Sequence, residues 1–149
     1  ELNAKNAKYI VIGGFAMRAA GYDRRTMDID LLIDTDVENE RRVFEALEYL
    51  PDKAVRELQP GEVAQYTVVR VADEIVVDLM QAACGIRYDE AQREVVIHDV
   101  ENTPIPFASP RLLWRMKRST MREKDTLDLH FLSVLFERAG EEPPDSGSK

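Results

Sequence analysis

The sequence predicts an α+β fold, a mixed β-sheet flanked by helices and closed by two C-terminal helices, and three observations carry that expectation. Tyr9 to Ile12 is an apolar run that stops at Gly13-Gly14 and gives way to a helical Phe15 to Ala20. Met27 to Ile33 alternates with a period of two, and Gln65 to Val71 faces Ile75 to Met80 across Ala72-Asp73-Glu74 as the arms of a hairpin. Beyond Ser109-Pro110 the spacing turns helical and stays so to about Ala139.

Taken in order, Leu2 to Lys8 is polar and reads as the tail of a helix leading into the first strand. After Met27 to Ile33, Thr35 and Glu38 stand at the spacing of a capping box. The helix they start runs to about Leu50, with Val43, Phe44, Leu47 and Leu50 inward and Glu38, Glu40, Arg41, Glu45 and Glu48 toward water; Pro51 stops it. Ala54 to Leu58 reads as a short strand and Pro60-Gly61 as a turn. Val95 to Ile97 and Thr103 to Phe107 are two more strands, the second placed at a sheet edge by Pro104 and Pro106.

Ser109 caps a helix through about Lys117, and Thr120 with Glu123 forms a second capping box. The last helix presents Leu127, Phe131, Val134 and Leu135 as its stripe, with Lys124, Asp125 and Asp128 opposite, and Gly140 ends it. Residues 1 to 139 are expected to form a single domain. The tail GEEPPDSGSK, without an apolar side chain, is expected to be disordered.

Asp28 and Asp30 are the feature that needs explaining. A period of two puts both carboxylates on one strand face, with Ile29, Leu31 and Ile33 on the other. Like charges side by side on a half-buried strand repel and lose hydration, so they call for a cation, and a divalent metal is the natural one. The glycines just before them let backbone N–H groups come close to a phosphate. Gly-Gly alone marks a turn and D-x-D alone a strand end; their order and spacing are what inform.

An apolar residue, Gly13-Gly14, thirteen intervening residues and then Asp28-Ile29-Asp30-Leu31 resembles the signature of the DNA polymerase β-like nucleotidyltransferase superfamily. Val76-Val77-Asp78-Leu79-Met80 fits the third carboxylate that this signature needs. The frame Gly21, Arg24-Arg25-Thr26-Met27-Asp28 looks like the small bacterial nucleotidyltransferase domains related to AbiEii-type toxins. Lys117 followed by Arg122, Lys124, Asp125 and Asp128 is similar to the element that closes those domains. The resemblance implies a polymerase β-like core in which Asp28 and Asp30 bind two Mg²⁺ (or Mn²⁺) ions, while Asp78 binds one and takes the acceptor's proton. Gly13 and Gly14 would then meet the β and γ phosphates of an NTP, with Arg24, Thr26, Lys117 and Lys124 as further nucleotide contacts.

The expected activity is transfer of a nucleoside monophosphate from an NTP to an acceptor hydroxyl of a small molecule, tRNA or protein, with release of pyrophosphate. A chain with no room for a large acceptor-binding domain leaves three alternatives: a small acceptor, an acceptor bound by a homodimer, or a partner protein. The rival is a catalytically silent nucleotide-binding or antitoxin-like regulator of a toxin-antitoxin module, and Asp78 discriminates: beside the pair it favours catalysis. A pure interaction domain would leave Gly13-Gly14 packed shut and the aspartates paired to arginines such as Arg24 or Arg25.

Composition narrows the field further. With 20 basic and 28 acidic residues and a net charge of −8, the chain is not one that coats nucleic acid over its whole surface. The exception is local: Arg111, Arg115, Lys117, Arg118, Arg122 and Lys124 are accompanied by a single acid, Glu123. One cysteine, Cys84, fits a reducing compartment and reads as a small buried hydrophobe. No apolar run has membrane-spanning length and no signal peptide is recognisable, so a cytoplasmic location is expected. The sequence starts at Glu1 rather than Met, which leaves room for upstream residues. His98 and His130 belong to no motif and are set aside as catalytic groups.

Overall fold

Apolar, β-favouring residues make Tyr9–Ile12 a strand, β1, buried along its whole length. It belongs to a computed structural model that describes every residue except Arg24, Ser119, Met121 and residues 145–149. β1 runs straight into α1 (Gly13–Ala19), and β2 (Asp28–Ile33) returns antiparallel to it, Ile12 opposite Asp30. Tyr22 in the connection stacks on Phe131, ring centroids 4.7 Å apart, which ties this loop to the last helix.

Helix α2 (Val37–Leu47) follows, capped by Asp36, whose carboxylate accepts from the Glu38 amide; Thr35 is not the cap. Val43 and Leu47 are buried as expected, Phe44 and Leu50 only half-buried, and Ala46 joins the buried face; Glu40 is also buried, at 3% exposure, rather than facing water. Its carboxylate accepts from the amides of Gly61 and Val63, where α3 (Glu62–Gln65) begins and would otherwise leave those donors unmet. Ala54–Glu57 is a 3-10 turn, not the expected strand, because Asp73 accepts from the Asp52 and Ala54 amides and holds that backbone away from any sheet.

The hairpin forms with shorter arms than the alternation implied: β3 (Val69–Ala72) and β4 (Val76–Met80), with Arg70 opposite Asp78. A small hairpin of β5 (Ala82–Ala83) and β6 (Ile86–Arg87) follows, turning at Cys84-Gly85 with positive φ at both. Helix α4 (Tyr88–Ala91) leads to β7 (Val95–Val100) and β8 (Thr103–Ala108). The chain ends in α5 (Pro110–Lys117), capped by Ser109 as expected, and α6 (Glu123–Arg138).

The main sheet has six strands in the order β3-β4-β2-β1-β8-β7. It is mixed: β4 is parallel to β2 and β8 is parallel to β1, the other neighbours being antiparallel. β7, not the proline-bearing β8, is the edge. β1 meets β8 at Val11 and Phe107, so Pro104 and Pro106 lie beyond that pairing and no ladder donor is missed there. The core runs continuously from β1 and β2 through Val77 and Leu79 to Leu112, Leu113, Leu132 and Phe136.

In α6 the inward face differs from the expected stripe. Asp125, Asp128, Leu132 and Phe136 are buried, while Leu127 is exposed. The acids turn in because a buried lysine, Lys117, reaches them from α5. Thr120 likewise serves no capping box: its hydroxyl donates to Asp125, and Arg122 occupies the cap position. Among the described residues no helix is long and apolar enough to cross a membrane.

Candidate active site

The register of the sheet builds the site. Arg70, Asp78, Asp30 and Ile12 are successive cross-strand partners from β3 through β4 and β2 to β1, and paired residues point to the same face. Asp28 lies two residues from Asp30 and shares that face. Ile29, Leu31 and Val77 point the other way, into an apolar groove of about 500 Å³ that Ala46 and Leu47 help to line.

Over the acidic face opens a cavity of about 640 Å³, lined by Gly13, Gly14, Thr26, Asp28, Asp30, Asp78, Lys117 and Lys124 together with Arg25, Arg70, Arg122 and the β5–β6 hairpin. Every site residue expected from the sequence is among them except Arg24, which lies outside the described residues. His98 and His130 are not among the lining residues; His98 packs its ring edge-on to Phe107, centroids 5.5 Å apart. Cys84, expected to be buried, is exposed at the turn on the cavity wall.

The glycines make the close approach possible. Gly13 has φ +69°, and a Cβ there would stand 2.1 Å from an Asp30 carboxylate oxygen; one on Gly14 would stand 2.6 Å from the Thr26 hydroxyl. Gly13→Ala is therefore expected to cost roughly 1–3 kcal/mol in left-handed backbone strain and, beyond that, to displace the Asp30 carboxylate. Gly61→Ala is the matched control, since Gly61 has φ +87° with nothing within 4 Å of its Cβ position. Denaturant melts of the two variants should show Gly13→Ala as the more damaging.

Burial, then Asp78, then Asp28 push the Asp30 carboxyl up to about 6, against the pull of Lys124 and Lys117. The other two acids carry a counter-cation that the sequence reading missed. Arg70 grips Asp78 in a fork, Nε to Oδ1 at 2.9 Å and Nη2 to Oδ2 at 3.1 Å, and the same Nη2 donates to Asp28 Oδ2 at 3.1 Å. The Asp28 and Asp78 oxygens are thus no further apart than twice that last distance. The hairpin register was the available signal: Arg70 stands as far before the turn as Asp78 stands after it.

The basic run divides. Arg111 turns to Glu141, and Arg115 to Glu90 and Glu94, away from the cavity. Lys117 is 6% exposed and held by Asp125 at 3.0 Å and Asp128 at 2.9 Å, so two of its three donors are taken. Asp125 also accepts from Thr120 at 2.7 Å and Arg122 at 2.6 Å. Lys124 is exposed at the cavity wall.

Three carboxylates are the right donor type for a hard divalent cation such as Mg²⁺. Here Arg70 is the cation paired with two of them, Asp28 and Asp78. Among the described residues no group of three His, Cys, Asp or Glu side chains is gathered as it stands around a metal position.

The fold, a mixed sheet flanked by helices with two more at its end, resembles that of a solved structure. The crystal structure of an antigenic nucleotidyltransferase-like protein from Paracoccidioides brasiliensis is similar to this chain with a TM-score of 0.50 at 18% identity, over 90% of this chain and 71% of that one. No protein-family model and no curated protein matches the chain.

Proposed function

We propose that the protein is a metal-dependent nucleotidyltransferase of the small bacterial kind related to AbiEii-type toxins, using Mg²⁺ or Mn²⁺. It would move a nucleoside monophosphate from an NTP to an acceptor hydroxyl. The observation that carries this is the pairing of Asp30 with Asp78 on parallel strands, beneath a cavity walled by Gly13, Gly14 and Lys124. Asp28, Asp30 and Asp78 would hold the cations, whose chemistry is to bring the acceptor oxygen and the triphosphate together and neutralise the charge that develops.

The acceptor oxygen bonds to the α-phosphorus as the bond from that phosphorus to the α,β-bridging oxygen breaks, and pyrophosphate leaves. The hydroxyl's proton passes to Asp78. Gly13 and Gly14 line the cavity in which the triphosphate would lie and give up their Cβ space to Asp30 and Thr26, Lys124 supplies positive charge at the rim, and Thr26 fixes the loop over Gly14. Lys117, held by two carboxylates, acts through the wall it supports.

Incubation with each α-labelled NTP, Mg²⁺ or Mn²⁺ and cell extract should move label to RNA, protein or a small molecule. Asp78→Asn should lower that transfer by a factor on the order of 10³. Absence of transfer from all four NTPs with either ion would overturn the proposal. The second reading, a pure interaction domain, draws on the pairing of Asp28 and Asp78 with Arg70, and would be favoured if the chain neither binds NTP nor moves label.

A further inference from the structure

Arg70 lies on β3, the strand at one edge of the sheet, and its side chain is 58% exposed although it grips a carboxylate only 8% exposed. Such a side chain can swing into water without disturbing the core, whereas Asp78 cannot follow it. A buried carboxylate next to two others requires a cation, and in the free protein Arg70 is that cation. The guanidinium therefore stands on the same oxygens that a divalent ion would use.

Resting on the proposed function, we propose that Arg70 is a displaceable internal counter-cation, competing with the divalent ion for Asp28 and Asp78 and yielding when ion and triphosphate arrive together. The second half follows from where Arg70 goes. It lines the cavity, so on release its planar donors face the space in which a triphosphate would lie, and phosphate oxygens replace the carboxylates as its partner. The metal ion alone must evict Arg70 into water; the metal-triphosphate pair offers it a new anion. The site thereby takes up the ion poorly without nucleotide and well with it.

The test is Mn²⁺ titration of the full chain, read as free Mn²⁺ by electron paramagnetic resonance, with and without an α,β-methylene triphosphate that cannot be cleaved there. In the wild type the triphosphate should tighten Mn²⁺ binding by about tenfold or more beyond its own chelation, measured in parallel on Asp78→Asn. Arg70→Gln should bind Mn²⁺ alone about tenfold more tightly than wild type and lose most of the triphosphate's effect. Arg70→Lys, which keeps the charge but not the fork, should fall between. Without metal, Arg70→Gln should melt lower than wild type, and Mg²⁺ should raise its melting temperature by more, which shows that the variant folds. Unchanged or weaker Mn²⁺ binding by a folded Arg70→Gln would overturn the inference while leaving the proposed function standing if wild type transfers label. If neither protein binds Mn²⁺ even with the triphosphate, both fall.

Discussion

Asp125→Ala is expected to lower the free energy of unfolding by about 1.5–3 kcal/mol, because it removes one of the two carboxylates that hold the buried Lys117 ammonium and leaves Asp128 to hold it alone. Lys117 is 6% exposed, and Asp125, fully buried, accepts from Lys117, Thr120 and Arg122 at once. Burial by itself would raise the Asp125 carboxyl, yet the bonds from Thr120 and Lys117 and the lysine's charge outweigh it and hold the group down to about 2. A folded-state value below the ordinary 3.8 means that this stabilisation is complete above about pH 5 and is lost as pH falls through 4 toward 2. Guanidinium melts should therefore show roughly 2 kcal/mol less advantage of wild type over Asp125→Asn at pH 2 than at pH 7. An equal gap at both values would show that the ionised carboxylate is not what holds the cluster.

Asp30→Asn is expected to have the opposite sign. With its carboxyl pushed up to about 6, the folded chain prefers the protonated acid, so stability falls as pH rises from 4 through 6. Asparagine removes that penalty. At pH 8 the variant should be more stable than wild type by roughly 2 kcal/mol, and at pH 4 about equal to it, while label transfer is lost. A variant that is less stable at pH 8 would assign Asp30 a structural role. The two substitutions touch acids of one sheet-and-helix assembly, and the sign of each follows from whether its charge has found a partner.

How much of this could be read from residues alone varied with how far each signal was local. The D-x-D strand, the Gly-Gly corner and the hairpin bearing Asp78 each announce themselves within a few residues, and the sheet put them together. Arg70 carries no local signal, and only the register of the hairpin sets it beside Asp78. α6 was misread because apolar spacing selects the inward face when the interior is apolar, and here a buried lysine draws Asp125 and Asp128 inward and leaves Leu127 exposed. Glu40 was placed in water for the same reason, although two amides 21 and 23 residues away needed its oxygens. Ala54 to Leu58, read as a strand, is too short a stretch to tell one from the 3-10 turn at Ala54–Glu57.

The hairpin also has a bearing on the order in which the molecule comes together. Arg70 is 8 residues from Asp78 but 42 from Asp28. The nearer contact closes a small loop and the farther one must wait for parallel strands to meet, the slower event in a folding chain. The third acid thus reaches the other two already escorted by its own positive charge, and the electrostatic barrier to seating β4 against β2 is softened before the strands dock.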